Sequence, residues 1–166
     1  QPPLALLMVF AGALRGAVES IADRLKEEFA RAGAYMLKDS DIPKLERVIV
    51  EDNHINRRFV GKNVSVILRE IGISVPDTTR FALCEVDEKH PFVQLEQLMP
   101  ILPFFRVRNA DEAIAAAVRV EHGFFHTSTC HSRNIDVLSK MARAVNTSIF
   151  AKNGPSVSGL GMGGEG

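Results

Sequence analysis

Four groups of residues in this sequence could do chemistry, judged by type and spacing. The run GLGMGG, Gly159 to Gly164, has the letters of the G-x-G-x-x-G phosphate cradle. That motif works between a strand and a helix, where exposed helix N–H groups take a pyrophosphate and a later acid holds the ribose. Only Glu165 and Gly166 follow, so a turn-forming glycine segment is the better reading. The second group is His122, His126, Cys130 and His131, residue types that bind zinc. Helical steps of four would align the first three, but Gly123 and the run FFHTST favour a strand. On a strand, His126 and Cys130 share a face roughly 13 Å apart, at about 3.3 Å per residue. One zinc ion, with bonds of about 2.0–2.3 Å, cannot span that. His131 points to the opposite face from Cys130. No metal site is expected.

The thiols Cys84 and Cys130 form the third group. A cysteine attacks as the thiolate, which needs a base, a cation or a helix N-terminus beside it. Cys84 lies within the apolar run FALCEV, where burial raises the pKa, and the neighbour of Cys130, His131, diverges from it on a strand. Both read as buried structural cysteines. The fourth group centres on Glu96, in EKHPFVQLEQLMPILPFFRV (residues 88–107). Pro100 and Pro103 bar a regular helix or a central strand there, so a shaped loop is expected before a strand at Phe104. On residue type alone, Glu96 reads as a solvated surface acid.

The elements that would position these groups alternate between helix and strand. Ser20 and Asp23 can open a helix whose residues Ile21, Ala22, Leu25, Phe29 and Ala32 recur at helical spacing up to Gly33. Val48 to Val50 predicts a short strand. Val60, Val64, Ile67, Leu68 and Ile71 predict a helix closed by Gly72, and Phe81 to Val86 a strand. Leu102 to Val107 reads as a strand. Asn109 and Glu112 then cap a helix with Ala110, Ala113, Ile114, Ala117 and Val118 on one face. Phe124 to Cys130 predicts another strand. Ser132 can cap a helix with the stripe Ile135, Leu138, Met141, Ala142 and Val145, and Thr147 to Ala151 is the last strand. The fold class is α/β, a mainly parallel sheet with flanking helices.

Composition sets the outer bounds. With 46% hydrophobic and 24% charged residues among 166, one globular domain of ordinary size is expected. Twenty basic residues balance twenty acidic ones, so no field draws nucleic acid or an anionic membrane. Two cysteines make no disulfide framework and point to a reduced, cytoplasmic setting. No apolar run has the length of a membrane span. Leu4 to Leu14 is apolar and has the length of a signal-peptide core, but no basic residue precedes it. A buried strand or helix is the simpler account of it.

Several segments together resemble a known family. VESIADRL (18–25), FVGK (59–62), EKHPFVQLEQLMPILP (88–103), EHG with the following HT and HS (121–132), NTSIFAKNGPS (146–156) and GLGMGGEG (159–166) are the pieces. In order and spacing they are similar to the CoA-acylating aldehyde dehydrogenases of ethanolamine and propanediol utilisation, a branch of the aldehyde dehydrogenase superfamily. The likeness covers nearly all of 18–166. It implies a subunit with a Rossmann-like NAD domain, a catalytic α/β domain and an oligomerisation arm, of which this stretch resembles part of the catalytic domain. The implied reaction starts with a cysteine thiolate attacking a short-chain aldehyde. Hydride passes to NAD, and CoA takes up the resulting thioester as acyl-CoA. A homo-oligomer when full length is also implied, in the cytoplasm or a bacterial microcompartment.

Residue by residue, the resemblance implies that Glu96 is the acid that hydrogen-bonds the nicotinamide ribose. Asn153, Gly154 and Pro155 match a loop near the reaction pocket, with a substrate-binding role. His126 and His131 match family histidines without an assigned role, while Phe124 and Phe125 replace a polar pair expected after EHG. The family's nucleophilic cysteine would fall near Val9, yet residues 1–17 contain no cysteine. So abrupt a change is what a frameshift, a misassembled gene end or an unrelated fusion would produce. The expectation is therefore an unmatched, poorly packed segment 1–17 and a partial catalytic domain 18–166. Alone, it would bind neither NAD nor CoA and would be inactive. Two other readings stay open: a non-enzymatic domain that associates with a full-length homologue, and a dehydrogenase of the same superfamily that does not use CoA.

Overall fold

The computed structural model describes residues 7–10 and 15–156; the glycine motif at 159–164 lies outside the described residues. In chain order the elements begin with β1 (Leu7–Phe10), β2 (Arg15–Val18), α1 (Glu19–Arg31), β3 (Ala34–Met36), α2 (Ile42–Ile49), β4 (Val50–Glu51) and β5 (His54–Ile55). A 3-10 turn, Arg57–Phe59, leads to α3 (Val64–Arg69), β6 (Phe81–Glu85), α4 (Pro91–Gln94) and β7 (Ile101–Val107). Then come α5 (Ala110–Val120), β8 (Thr127–Cys130), α6 (Ile135–Ala144) and β9 (Ile149–Lys152). The class is α/β: β3–β6, β6–β7 and β8–β9 pair in parallel, while β1 is antiparallel to β2 and β8. No described helix is long and apolar enough to cross a membrane. The chain divides into two compact units, Asp23–Phe105 and the remaining residues.

In the unit Asp23–Phe105, β6 lies between β3 and β7, with Ala82 opposite both Tyr35 and Ile101. Leu45, Ile49, Ile67, Leu68, Phe92 and Ile101 are its buried core. Each such side chain stabilises the fold by about 1.5–3 kcal/mol at most, on the area scale. Gly33 ends α1 as expected, with φ +92°, a conformation that a side chain would strain. Ser20 lies inside α1 and is not its cap.

Two expectations fail here, for identifiable reasons. Val48 and Ile49 belong to α2 and not to a strand, which begins only at Val50. Pro43 presets the first turn, and Ile42, Leu45 and Ile49 fall on one buried helical face, so the 3.6-residue period outweighs the β-branched run. Pro103 lies inside β7, opposite Cys84. The carbonyls of Pro100 and Phe104 accept N–H groups of Ala82 and Val86, both at 2.9 Å. Alternation then turns the Pro103 nitrogen away from β6, where its missing N–H breaks no bond of that ladder.

In the other unit the order is β2, β1, β8, β9. Met8 of β1 stands opposite Gly16 of β2 and Cys130 of β8. Backbone pairing on both edges of Leu7–Phe10 runs against the expected poor packing of 1–17 at these four residues. Of the two accounts of the apolar run, strand or helix, the backbone of Leu7–Phe10 takes the strand. Asn109 caps α5 as expected, accepting the Glu112 N–H at 2.9 Å. Glu112 reaches back one residue further, to the Arg108 N–H at 2.6 Å. The buried face of α5 is Ala113, Ile114, Ala116, Ala117 and Val120, and Val118 faces outward. β8 is shorter than the expected Phe124–Cys130 because Phe125 takes φ +56°, outside the extended region.

Candidate functional site

The Glu96 loop is assembled from local constraints on both sides. His90 caps the single turn α4, its Nδ1 accepting the Phe92 N–H at 3.1 Å, and Pro91 fills the first helical position. Gln94 Nε2 donates to the Glu88 carbonyl at 2.6 Å. Beyond the turn, Gln97 is buried, and its Nε2 donates to the Phe92 carbonyl. Leu98 has φ +52°, and its carbonyl accepts the Gly61 N–H at 3.1 Å. That bond explains a role for FVGK, since Gly61 itself sits at φ +72°. Phe92 and Met99 anchor the two ends in the core.

Glu96 lies exposed between these fixed points. Among the described residues its carboxylate has no hydrogen bond or ion pair. It can therefore accept two donors at once, as a pair of ribose hydroxyls would require. Gln97 went unnoticed in the sequence, because an amide next to a charged residue gives no local sign of burial.

Asn153 stands in the other unit, directly after β9, with φ +53°. Its N–H donates to the Cys130 carbonyl at 2.9 Å, and its Oδ1 accepts the Ser132 N–H at 2.9 Å. Ser132 Oγ in turn accepts the Asn134 N–H at 3.1 Å. Asn134, and not Ser132, caps α6, accepting the Asp136 N–H at 2.9 Å. One amide thus braces the turn that contains His131, and Gly154 and Pro155 continue from it. Pro155 is exposed.

The thiols behave as the sequence suggests. Cys84 and Cys130 are both fully buried, and burial pushes each thiol from 9.0 up to about 12. Burial thus favours the neutral thiol at both positions, which disfavours the thiolate that a nucleophile needs. The histidines are not gathered. His126 is exposed and precedes β8, whereas Cys130 is buried at the end of that strand. Among the described residues no three His, Cys, Asp or Glu side chains are placed to hold a metal ion. The acid of EHG plays a structural part, since buried Glu121 accepts the N–H groups of Gly123, at 2.9 Å, and of Phe125. The turn it closes displays Phe124 and Phe125, with His122 5.8 Å from the Phe124 ring.

No family model matches the chain. It is 43% identical, over 155 residues, to an acetaldehyde dehydrogenase (acetylating) of Salmonella typhimurium, covering 90% of this chain and 33% of that protein. A solved propionaldehyde dehydrogenase of Rhodopseudomonas palustris, with bound CoA and an acylated cysteine, superposes with a TM-score of 0.88. It is 43% identical, with 92% of this chain and 35% of that one covered. A propionaldehyde dehydrogenase from the fucose utilisation microcompartment of Clostridium phytofermentans gives 0.87 at 35% identity, covering 92% of this chain and 35% of that one. The chain thus spans about a third of the length of these relatives.

Proposed function

The chain belongs to the CoA-acylating aldehyde dehydrogenases, over the third of their length that it spans, and from that premise we propose that it forms part of their catalytic domain. The reaction is the conversion of a short-chain aldehyde, NAD and CoA to acyl-CoA and NADH through a cysteine thioester. Glu96 is the acceptor for the nicotinamide ribose, and Asn153, Gly154 and Pro155 border the aldehyde. The observation that carries this reading is the Glu96 carboxylate, exposed beside buried Gln97 and without a partner among the described residues.

NAD, when bound, accepts the hydride. The part this chain plays is to fix where the ribose lies: two charge-assisted hydrogen bonds from one carboxylate set both the position and the rotation of the sugar. Asn153 Oδ1 is engaged by the Ser132 N–H, so what remains for a substrate oxygen is its Nδ2, a donor. The attacking thiolate comes from neither Cys84 nor Cys130. The isolated 166-residue polypeptide is then inactive and binds neither NAD nor CoA, and the boundary at Val18 separates an unmatched segment from catalytic-domain residues. A microcompartment setting and a homo-oligomer belong to the same proposal; the Clostridium phytofermentans neighbour supports the former.

The test uses a chimera in which this stretch replaces the matching third of a full-length relative. Glu96→Gln keeps the shape but makes both hydrogen bonds neutral, at a cost of about 1–2 kcal/mol shared between NAD affinity and hydride transfer. Unchanged kcat and unchanged KM for NAD would mean that Glu96 is a solvated surface acid. Acyl-CoA formation by the unfused polypeptide, abolished by Cys84→Ala or Cys130→Ala, would overturn the exclusion of those thiols.

A further inference from the structure

We propose that Gln97 is the positioning residue of the Glu96 loop, a pin that sets the direction of the carboxylate without touching the cofactor; this rests on the reading of Glu96 as the ribose acceptor. Three observations carry it. Gln97 is 2% exposed, next to an exposed glutamate, so one step of backbone turns the chain from core to solvent. Its Nε2 donates to the Phe92 carbonyl, closing residues 92–97 on themselves. Its Oε1 is buried and has no partner among the described residues.

The orphaned oxygen separates a stabilising role from a positioning one. A buried acceptor without a partner opposes folding, and flipping the amide would set its oxygen against the Phe92 carbonyl. An apolar side chain of the same volume would avoid that penalty and would still fill the site. The amide therefore does little for stability, and its effect is to hold the loop geometry. The second hold, from the Gly61 N–H to the Leu98 carbonyl, follows one residue later on the same side of Glu96, and on its other side the Leu95 N–H donates to the Pro91 carbonyl at 2.9 Å. With these in place, residues 95, 97 and 98 are held, and the Glu96 carboxylate between them has no partner among the described residues.

Gln97→Met removes the donor and keeps an unbranched side chain of similar size. In the full 166-residue chain it should speed amide exchange at Gly61 by about tenfold, leave Ala82 in β6 protected, and not lower Tm. In the chimera it should reduce kcat/KM for NAD by about tenfold, mostly through KM, and the double variant with Glu96→Gln should be no worse than Glu96→Gln alone. That non-additivity is what a merely structural residue would not show. Additive losses, or unchanged exchange at Gly61, would overturn the pin. So would a silent Gln97→Met beside an impaired Glu96→Gln. A silent Glu96→Gln would instead overturn the ribose reading, and the inference with it. Should Gln97→Met fail to fold, Gln97→Leu is read by the same criteria.

Discussion

The Glu96 loop and the Asn153 turn solve opposite problems. Around Glu96 the neighbours are fixed and the carboxylate has no partner among the described residues, with Gln97 buried and Leu98 tied to Gly61. At Asn153 the side chain that resembled a substrate contact is itself the fixing element, joined to Ser132 while its N–H joins Cys130. A group without a protein partner is available to a ligand. A group already holding two segments together is first a brace, and only its unused atoms can meet a substrate. Chemical type alone would have ranked the two residues alike.

The broadest way to sharpen the contrast uses the two thiols, one in each unit. Both are held protonated by burial, each pushed up to about 12. Unfolding returns them to the ordinary thiol range, so the folded state is favoured fully below about pH 9 and loses that advantage as pH rises toward about 12. A loss of a few kcal/mol, from a total of about 5–15, should bring the urea midpoint down steeply across this window. The paired variant Cys84→Ala, Cys130→Ala should flatten that slope. Alkylation at pH 8 should label neither thiol in the native chain and both in denaturant; rapid native labelling of one would show that its region opens.

Breaking the brace comes next. Asn153→Val leaves the Ser132 N–H without its acceptor and forces a β-branched residue to φ +53°. Together these should cost about 2–4 kcal/mol, read as a lower midpoint in denaturant. Asn153→Gly separates the two effects, since glycine accepts the positive φ and only the brace is lost. About 1 kcal/mol is expected. Equal losses in both variants would mean that backbone conformation contributes nothing.

The smallest effect on stability belongs to the residue assigned the largest part in function. Glu96→Gln should change folding stability by less than about 0.5 kcal/mol, because no group among the described residues depends on the carboxylate. A loss of about 1 kcal/mol or more would mean that Glu96 has a partner in the folded chain, and the comparison with Asn153 would collapse.

Much of the fold was legible because it is written in short-range contacts. The Asn109 cap, the Gly33 stop, the strand at Phe81–Glu85 and the buried thiols follow from residues within one or two turns of each other. Legibility failed where local signals competed, as at Val48 and Ile49, or where a far partner decided, as at Pro103, whose place in β7 depends on which edge faces β6. The same limit applied to the candidate site.

By itself the sequence determined the α/β class, the Asn109 cap of α5 and the burial of both thiols, and its likeness to a family made Glu96 a candidate. The tertiary structure alone decided that Gln97 is buried beneath that acid, that Gly61 holds Leu98, and that Asn153 binds the turn at Ser132. The physical reason is chain separation. Periodicity and capping are settled among neighbours a few residues apart, whereas a donor at Gly61 and an acceptor at Leu98 meet only after the core between them has collapsed and brought two distant loops within a hydrogen bond of each other.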